Sequence, residues 1–401
     1  MALLGWELRK IWRPALLAAI ALIGLVFWQI RTEFYIEHFG SGWEDEIGLT
    51  NRWLEEYGVT IEPAERAELD GQLAEAKEAF AAQVAQVDGA AEAGVRDWPS
   101  WLAWEERYFD DAWAKRDRDR NFYWTVYSNT NRGEIEALET FLERYDRLAA
   151  GDVSALGYVT DYPPRVAERQ ARRLEEAAAR PEAFGFLPGG VASNTNDFFH
   201  YFAIWCSFSA ALLLAPALVR DRLRRTRAMQ WASRRGRGVL GAQMGAALLS
   251  GVLLTLVNFA VYLGPFLSTG ALTFWSCPMT SVWNQNQFYF PWFDWTYGQY
   301  VLSLCGLTAA LALATSGFTA VLSWFSGAYV AMLLKLLPLV FVLEWGLVPW
   351  VMEGAGTFQG SPARLLGLPG GEWVVAVLCA ALALLLCGLV CRRQRRRDLA
   401  P

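Results

Sequence analysis

The chain has 401 residues, of which 54% are hydrophobic, 20 are Trp, only 2 are His and 19% are charged, a composition foreign to ordinary soluble enzymes. Its net charge of -5 and mean hydropathy of +0.17 average over a segregated sequence, in which one acidic block sits among apolar runs of about 20 residues. That pattern excludes a single water-soluble core for the whole chain, and the scarcity of His and Lys excludes many catalytic schemes.

The first apolar run is Pro14 to Ile30, preceded by Arg9, Lys10 and Arg13. It ends in Phe27, Trp28, Gln29 and Ile30 with no small-x-small cleavage site, which argues for a retained span rather than a removed signal peptide. Residues 1–30 are therefore expected to form a cytoplasmic interface helix and the first span.

Residues 31–197 follow as a polar block with 34 acidic against 18 basic residues and no Cys, so it must fold without disulfides. Its patterns are helical over Pro63 to Val87, Ser100 to Arg118, Gly133 to Ala149 and Pro164 to Ala179, with Ser100 expected as an N-cap and Pro63 and Pro164 at early helix positions. Trp101, Trp104, Tyr108 and Ala112 recur at helical spacing. Such a stripe is expected mainly as packed core, with a substrate or peptide groove as the alternative. Asp117, Asp119 and Asn121 begin like a calcium loop, but Phe122 replaces the turn Gly and Ser128 the closing acid, so no metal site is assigned.

Further apolar stretches near Phe198 to Val219, Val239 to Leu267, Gln299 to Ser323, Gly327 to Trp350 and Trp373 to Val390 are each long enough to span. The fourth and fifth spans share one stretch from Gln299 to Trp350, divided at Trp324 to Gly327. Of the 18 basic residues outside 31–197, 16 fall on one side of a six-span arrangement: before the first span, in Arg220 to Gly238, and after the last span. Because Lys and Arg resist translocation, this places both termini and the loop 220–238 in the cytoplasm and block 31–197 outside. The fold expected is an all-α polytopic membrane protein with six transmembrane helices and a mainly helical extracytoplasmic domain, divided as 1–30, 31–197, 198–219, 220–238 and 239–401. The acidic charge of the block disfavours nucleic acid as a partner.

The six Cys lie in or near spans, with Cys277 in an outside loop as an expected free thiol. No phosphate-cradling Gly-Lys-Ser/Thr loop, His-Glu-x-x-His or Gly-x-Ser-x-Gly motif occurs, so neither nucleotide hydrolysis by this chain nor zinc or serine hydrolysis is expected. Two copies of Leu-Pro-Gly-Gly, at 187–190 and 368–371, read as turns entering the membrane. Gly241 and Gly245 permit close helix approach in the third span. Lys335 and Glu344 are ionisable residues within a span; nine residues at about 100° each put them on opposite faces, so they are expected to snorkel apart, or else to line a pathway. The loop Phe274 to Tyr297, with Trp275, Trp283, Trp292 and Trp295 among its rings, reads as an interfacial aromatic belt.

The order of these parts resembles the permease subunits of ATP-binding cassette transporters of the type-2 exporter class. That family has an amphipathic cytoplasmic N-terminal helix, six spans, an often large external insert and a short coupling helix between spans two and three. Gly5 to Trp12 matches the first feature and Arg220 to Gly238 the coupling position, with Asp221 and Ser233-Arg-Arg-Gly-Arg-Gly resembling its acidic residue and closing turn. The sequence departs in lacking Gly-Thr after the acidic residue and in carrying Gln243 where a Lys is frequent.

The resemblance implies an exporter of a hydrophobic or amphiphilic substrate in a bacterial plasma membrane. It implies a dimer with a second permease copy or homologue, and a separate ATPase that binds the ATP and Mg. Residues expected to meet that ATPase are Arg222, Arg224, Arg225, Met229, Trp231, Ser233, Arg235 and Arg237, with Glu7, Arg9, Lys10 and Trp12 on the interface helix and Lys335 and Glu344 as pathway candidates. The competing expectation is a membrane sensor or mechanical transmitter that relays an external signal.

Overall fold

The computed structural model describes residues 2–110, 113–157, 164–224, 236–284 and 290–396. Among the described residues every regular element is a helix, and pairing between extended segments is limited to isolated bridges such as Thr60 with Gly185. Among the described residues six helical segments are long and apolar enough to cross a bilayer: Pro14–Glu37, Gly189–Leu223, Val239–Leu267, Tyr297–Trp324, Tyr329–Met352 and Gly371–Arg395. The chain is a multi-pass membrane protein, and these segments are spans 1 to 6.

Spans 2 and 4 form the centre of the bundle. Inside their most apolar windows 78% and 56% of residues are buried, against 17–18% in spans 1, 5 and 6, which therefore lie at the periphery. Close approach is set by small residues. A Cβ on Gly251 of span 3 would meet Ser316 Oγ at 2.1 Å, and one on Gly317 of span 4 would meet the Ala383 Cβ of span 6 at 2.8 Å. Gly241 and Gly245 do not serve this purpose, because their nearest neighbours are Arg395 and Leu4 at 3.6 and 4.0 Å. The division of the long apolar stretch falls as expected: span 4 ends at Trp324 and span 5 begins at Tyr329.

Span 2 starts at Gly189 rather than Phe198. Hydropathy marks where the bilayer begins, whereas this helix continues through the polar residues Ser193 to Asp197, of which Thr195 and Asn196 bond to spans 4 and 5. Thr195 Oγ1 and the Tyr297 hydroxyl lie 2.8 Å apart, and Asn196 Nδ2 donates to Tyr300 Oη and to the Met352 carbonyl, each at 3.0 Å. Each Leu-Pro-Gly-Gly copy immediately precedes or opens a span helix, at Gly189 and Gly371. Gly190 packs on the Trp43 ring and Gly371 on the Ala363 backbone, leaving no room for a side chain.

The insert between spans 1 and 2 has its own core. Trp53, Phe80, Trp101 and Phe141 are fully buried on helices Glu44–Glu56, Pro63–Val84, Trp98–Asp110 and Arg132–Ala149. Pro63 opens its helix at the first position, and the Glu62 and Glu65 side chains complete a capping box. The expected single helix over Ser100 to Arg118 is instead a pair, Trp98–Asp110 and Trp113–Asn129, which face each other through their aromatic rings. Trp101 and Trp104 stack at 5.3 Å, Trp104 and Tyr108 at 5.3 Å, and Tyr108 meets Tyr123 of the second helix at 5.0 Å. This stripe is core; Ala112 lies outside the described residues. Ser100 is not the N-cap either. Asp97 Oδ1 accepts from the Ser100 amide at 3.0 Å while Ser100 Oγ accepts from the Asp97 amide at 3.0 Å, so Asp97 caps and Ser100 answers from the first turn.

The described rings of the loop Phe274 to Tyr297 do not form a headgroup belt, and Phe288 and Tyr289 lie outside the described residues. Trp283, Phe290 and Trp292, together with Phe358 from the segment after span 5, belong to the insert's core. Trp283 lies 5.4 Å from Trp53 and 4.9 Å from Phe141, and the Val282 amide donates to the Ala183 carbonyl at 2.8 Å. Asp294 receives Arg173 at 2.5 Å and also pairs with Arg180. The insert, the 3–4 loop and the 5–6 loop are thus one packed body on one face of the bundle.

Candidate coupling site on the basic face

The opposite face gathers the N-terminal helix Ala2–Ile11, the end of span 2, the start of span 3 and the end of span 6. Glu7 and Lys10 are three residues apart on one side of the N-terminal helix, and the Lys10 ammonium donates to both Glu7 carboxylate oxygens at 2.8 and 2.9 Å. The same ammonium reaches Asp221 Oδ2 of span 2 at 3.1 Å, and Gln243 Nε2 of span 3 donates to that oxygen at 2.9 Å. Arg220 Nη2 then closes the ring by donating to the Lys10 carbonyl at 2.8 Å, a cation on one of the last, otherwise unpaired carbonyls of the N-terminal helix. Trp12, just past the C-terminal end of that helix, adds a bond to span 3, its indole donating to Ser250 Oγ at 3.0 Å.

Glu7, Arg220, Asp221 and Gln243 are all at least nine-tenths buried. In such surroundings an unmatched charge costs far more than a matched one, so the network fixes the three elements together. Nothing in it forms a nucleophile with an activating base. Through it the segment that leaves Asp221 is bonded to the N-terminal helix and to span 3 at once. Arg222, Leu223 and Arg224 emerge from this knot exposed.

The structure therefore joins Glu7, Lys10 and Trp12, and adds Arg220, Gln243 and Ser250, which the sequence did not single out as partners. Arg9 is exposed beside them. Arg225, Met229, Trp231, Ser233 and Arg235 lie outside the described residues, as does the side chain of Arg237, whose backbone belongs to the short turn Gly236–Gly238. Lys335 stands apart: its ammonium donates to the Phe325 carbonyl at 3.0 Å, at the C-terminal end of span 4, as a snorkelling residue does. Glu344 falls in a π-helical turn, Leu343–Leu347, of the same span, and its side chain is outside the described residues.

No protein-family model, characterised protein or solved structure matches this chain.

Proposed function

We propose that this chain is the transmembrane permease subunit of an ATP-driven exporter of the type-2 class, moving a hydrophobic or amphiphilic substrate with a separate ATPase. The observation that carries it is the knot of Lys10, Asp221, Gln243 and Arg220. A permease without a nucleotide site needs a rigid link from the ATPase-facing loop to its spans, and this knot ties the root of loop 220–238 to the N-terminal helix and span 3 at once. The exposed Arg222 and Arg224 offer cations to acidic groups of the ATPase. The excess of Lys and Arg on this face supports its lying in the cytoplasm and the acidic insert outside, in what we propose is a bacterial plasma membrane. Six spans form half of a transport pathway in this class, so a second permease completes it.

The test is reconstitution with the ATPase that co-purifies with the chain. Asp221→Asn is expected to leave the complex assembled while reducing substrate-stimulated ATP hydrolysis by about tenfold, since the neutral amide loses the charge-assisted bond to Lys10. Absence of any co-purifying ATPase would contradict the proposal, and so would unchanged coupling in both Asp221→Asn and the double variant Arg222→Ala/Arg224→Ala.

A further inference from the structure

Between spans 1 and 3, on the side of the bundle that faces the bilayer, lies a cavity of about 550 Å³. Leu17, Ala21 and Leu25 form one wall, Leu254 and Val261 the other, and Trp205 of span 2 closes the back. Its depth comes from a missing side chain. A Cβ on Gly24 would stand 2.7 Å from the Trp205 ring, and the Tyr262 hydroxyl donates to the Gly24 carbonyl at 2.9 Å. The polar atoms at the back are engaged with one another: the Trp205 indole donates to Asn258 Oδ1 at 3.2 Å, and Asn258 Nδ2 donates to Ser209 Oγ at 2.9 Å. What the cavity presents to an occupant is therefore hydrocarbon.

Both flanking helices leave α geometry at this place. Trp28, on the wall, begins the π-helical turn Trp28–Thr32 of span 1, and Val261 and Tyr262 belong to the π-helical turn Phe259–Leu263 of span 3. Such turns are uncommon and concentrate at functional sites. Toward the basic face the cavity runs into a shallower hollow of about 510 Å³, with which it shares Trp12 and Val257. Leu8 and Arg9 of the N-terminal helix line that hollow. Lys10 is committed to Glu7 and Asp221, whereas Arg9 is exposed at the mouth.

We infer that this groove binds one acyl chain of an anionic phospholipid from the leaflet beside the N-terminal helix, with its headgroup phosphate at Arg9. The groove is apolar, opens sideways between two spans and has a cation at one end, which is the order of groups in such a lipid. A cavity of this kind opening to lipid fills with hydrocarbon rather than water, and a basic residue at the membrane surface favours an anionic headgroup. The inference goes beyond the exporter proposal, because it holds for the chain without an ATPase.

The test uses the full chain in nanodiscs of phosphatidylcholine carrying a trace of phosphatidylglycerol or phosphatidylcholine with a mid-chain photoactivatable group, and the labelled peptides are located by mass spectrometry. The phosphatidylglycerol probe is expected to label residues 14–28 and 254–265 well above spans 5 and 6, with about a fivefold preference over the neutral probe that Arg9→Gln removes. Ala21→Trp and Val257→Trp, both placed on the groove and each made separately, are expected to abolish the enrichment; if one fails to fold, the other decides. Even labelling of all bilayer-facing spans, equal labelling by the two probes in the wild type, or enrichment that survives a folded Trp variant would overturn the inference.

Discussion

A single ammonium joins most of the basic-face network at the residue scale. Lys10 donates to Glu7 and Asp221 and its own carbonyl accepts from Arg220, so its removal leaves two carboxylates in a largely buried site. Lys10→Ala is expected to cost about 1–3 kcal/mol of stability, read as a lower thermal midpoint in detergent. Lys10→Arg should recover part of the loss by keeping the charge. Equal midpoints for Lys10→Ala and the wild type would contradict the geometry. Gly317 makes the complementary case for shape. Its missing side chain lets span 6 approach at Ala383, including the Ala383 backbone, which cannot rotate away. Gly317→Val is expected to destabilise by about 1–3 kcal/mol through overpacking, whereas the same change at Gly5, with open space around it, should be tolerated sterically.

Among the helical elements of the insert, burial and charge set a pH response. Burial, and then the Glu134 charge, raises the Asp45 carboxyl above its ordinary value; burial also raises Glu46 and Glu136, the latter partly offset by Arg132. A carboxyl raised on folding binds its proton more tightly in the folded state. It therefore penalises folding at neutral pH, and the penalty is relieved as pH falls through the raised value. Asp97 and Asp152 act in the opposite sense. Hydrogen bonds from Ser100, and from Ser154 and Arg147, hold them low, Asp152 at about 2, so their stabilisation is present above the unfolded value and is lost in stronger acid. Hydrogen exchange over 44–56 and 132–149, corrected for intrinsic rates, should show greater protection near about pH 5 than at pH 7. Asp45→Asn should raise protection at pH 7 and flatten the profile. A steady loss of protection from pH 7 to pH 5 would contradict this assignment of charges.

The same elements show what a sequence alone reveals. Spans are legible because about 20 consecutive apolar residues have few other uses, and the helices beginning at Pro63 and Pro164 announce themselves by Pro at an early position. Helix Glu44–Glu56 is not legible, since only Leu49, Thr50 and Trp53 are buried on it and its polar residues hide the period. That Trp98–Asp110 and Trp113–Asn129 are two packed helices is hidden for a different reason: aromatic and polar residues keep helical spacing in both. Of the candidate site, the N-terminal helix and Asp221 stand out as motifs, but their joining does not. Local spacing places Glu7 beside Lys10, whereas the bond from Gln243 to Asp221 and that from Trp12 to Ser250 depend on how spans 2 and 3 pack. The aromatic loop 274–297 misleads because Trp at a membrane edge and Trp in a soluble core look alike in sequence, and only the neighbouring Trp53 and Phe141 distinguish them.

For the whole molecule, the consequence is a sorting of contacts onto two faces. The insert and the loops after spans 3 and 5 share one core, while the N-terminal helix, the 220–224 segment, the start of span 3 and the end of span 6 meet on the other face. A bundle divided this way joins a large packed insert to a small basic platform through spans 2 and 4. In the exporter proposal, the platform receives the ATPase stroke and the peripheral spans 1, 5 and 6 are free to meet lipid or a second permease. Everything in that proposal depends on the basic platform facing the cytosol. The most direct measurement is labelling with a membrane-impermeant maleimide in intact cells, using single-cysteine variants on a chain whose six native cysteines have been replaced. Glu56→Cys, on the exposed side of an insert helix, is predicted to react in intact cells, and Arg222→Cys only after the membrane is opened. Reaction of Arg222→Cys in intact cells, with Glu56→Cys protected, would contradict the account.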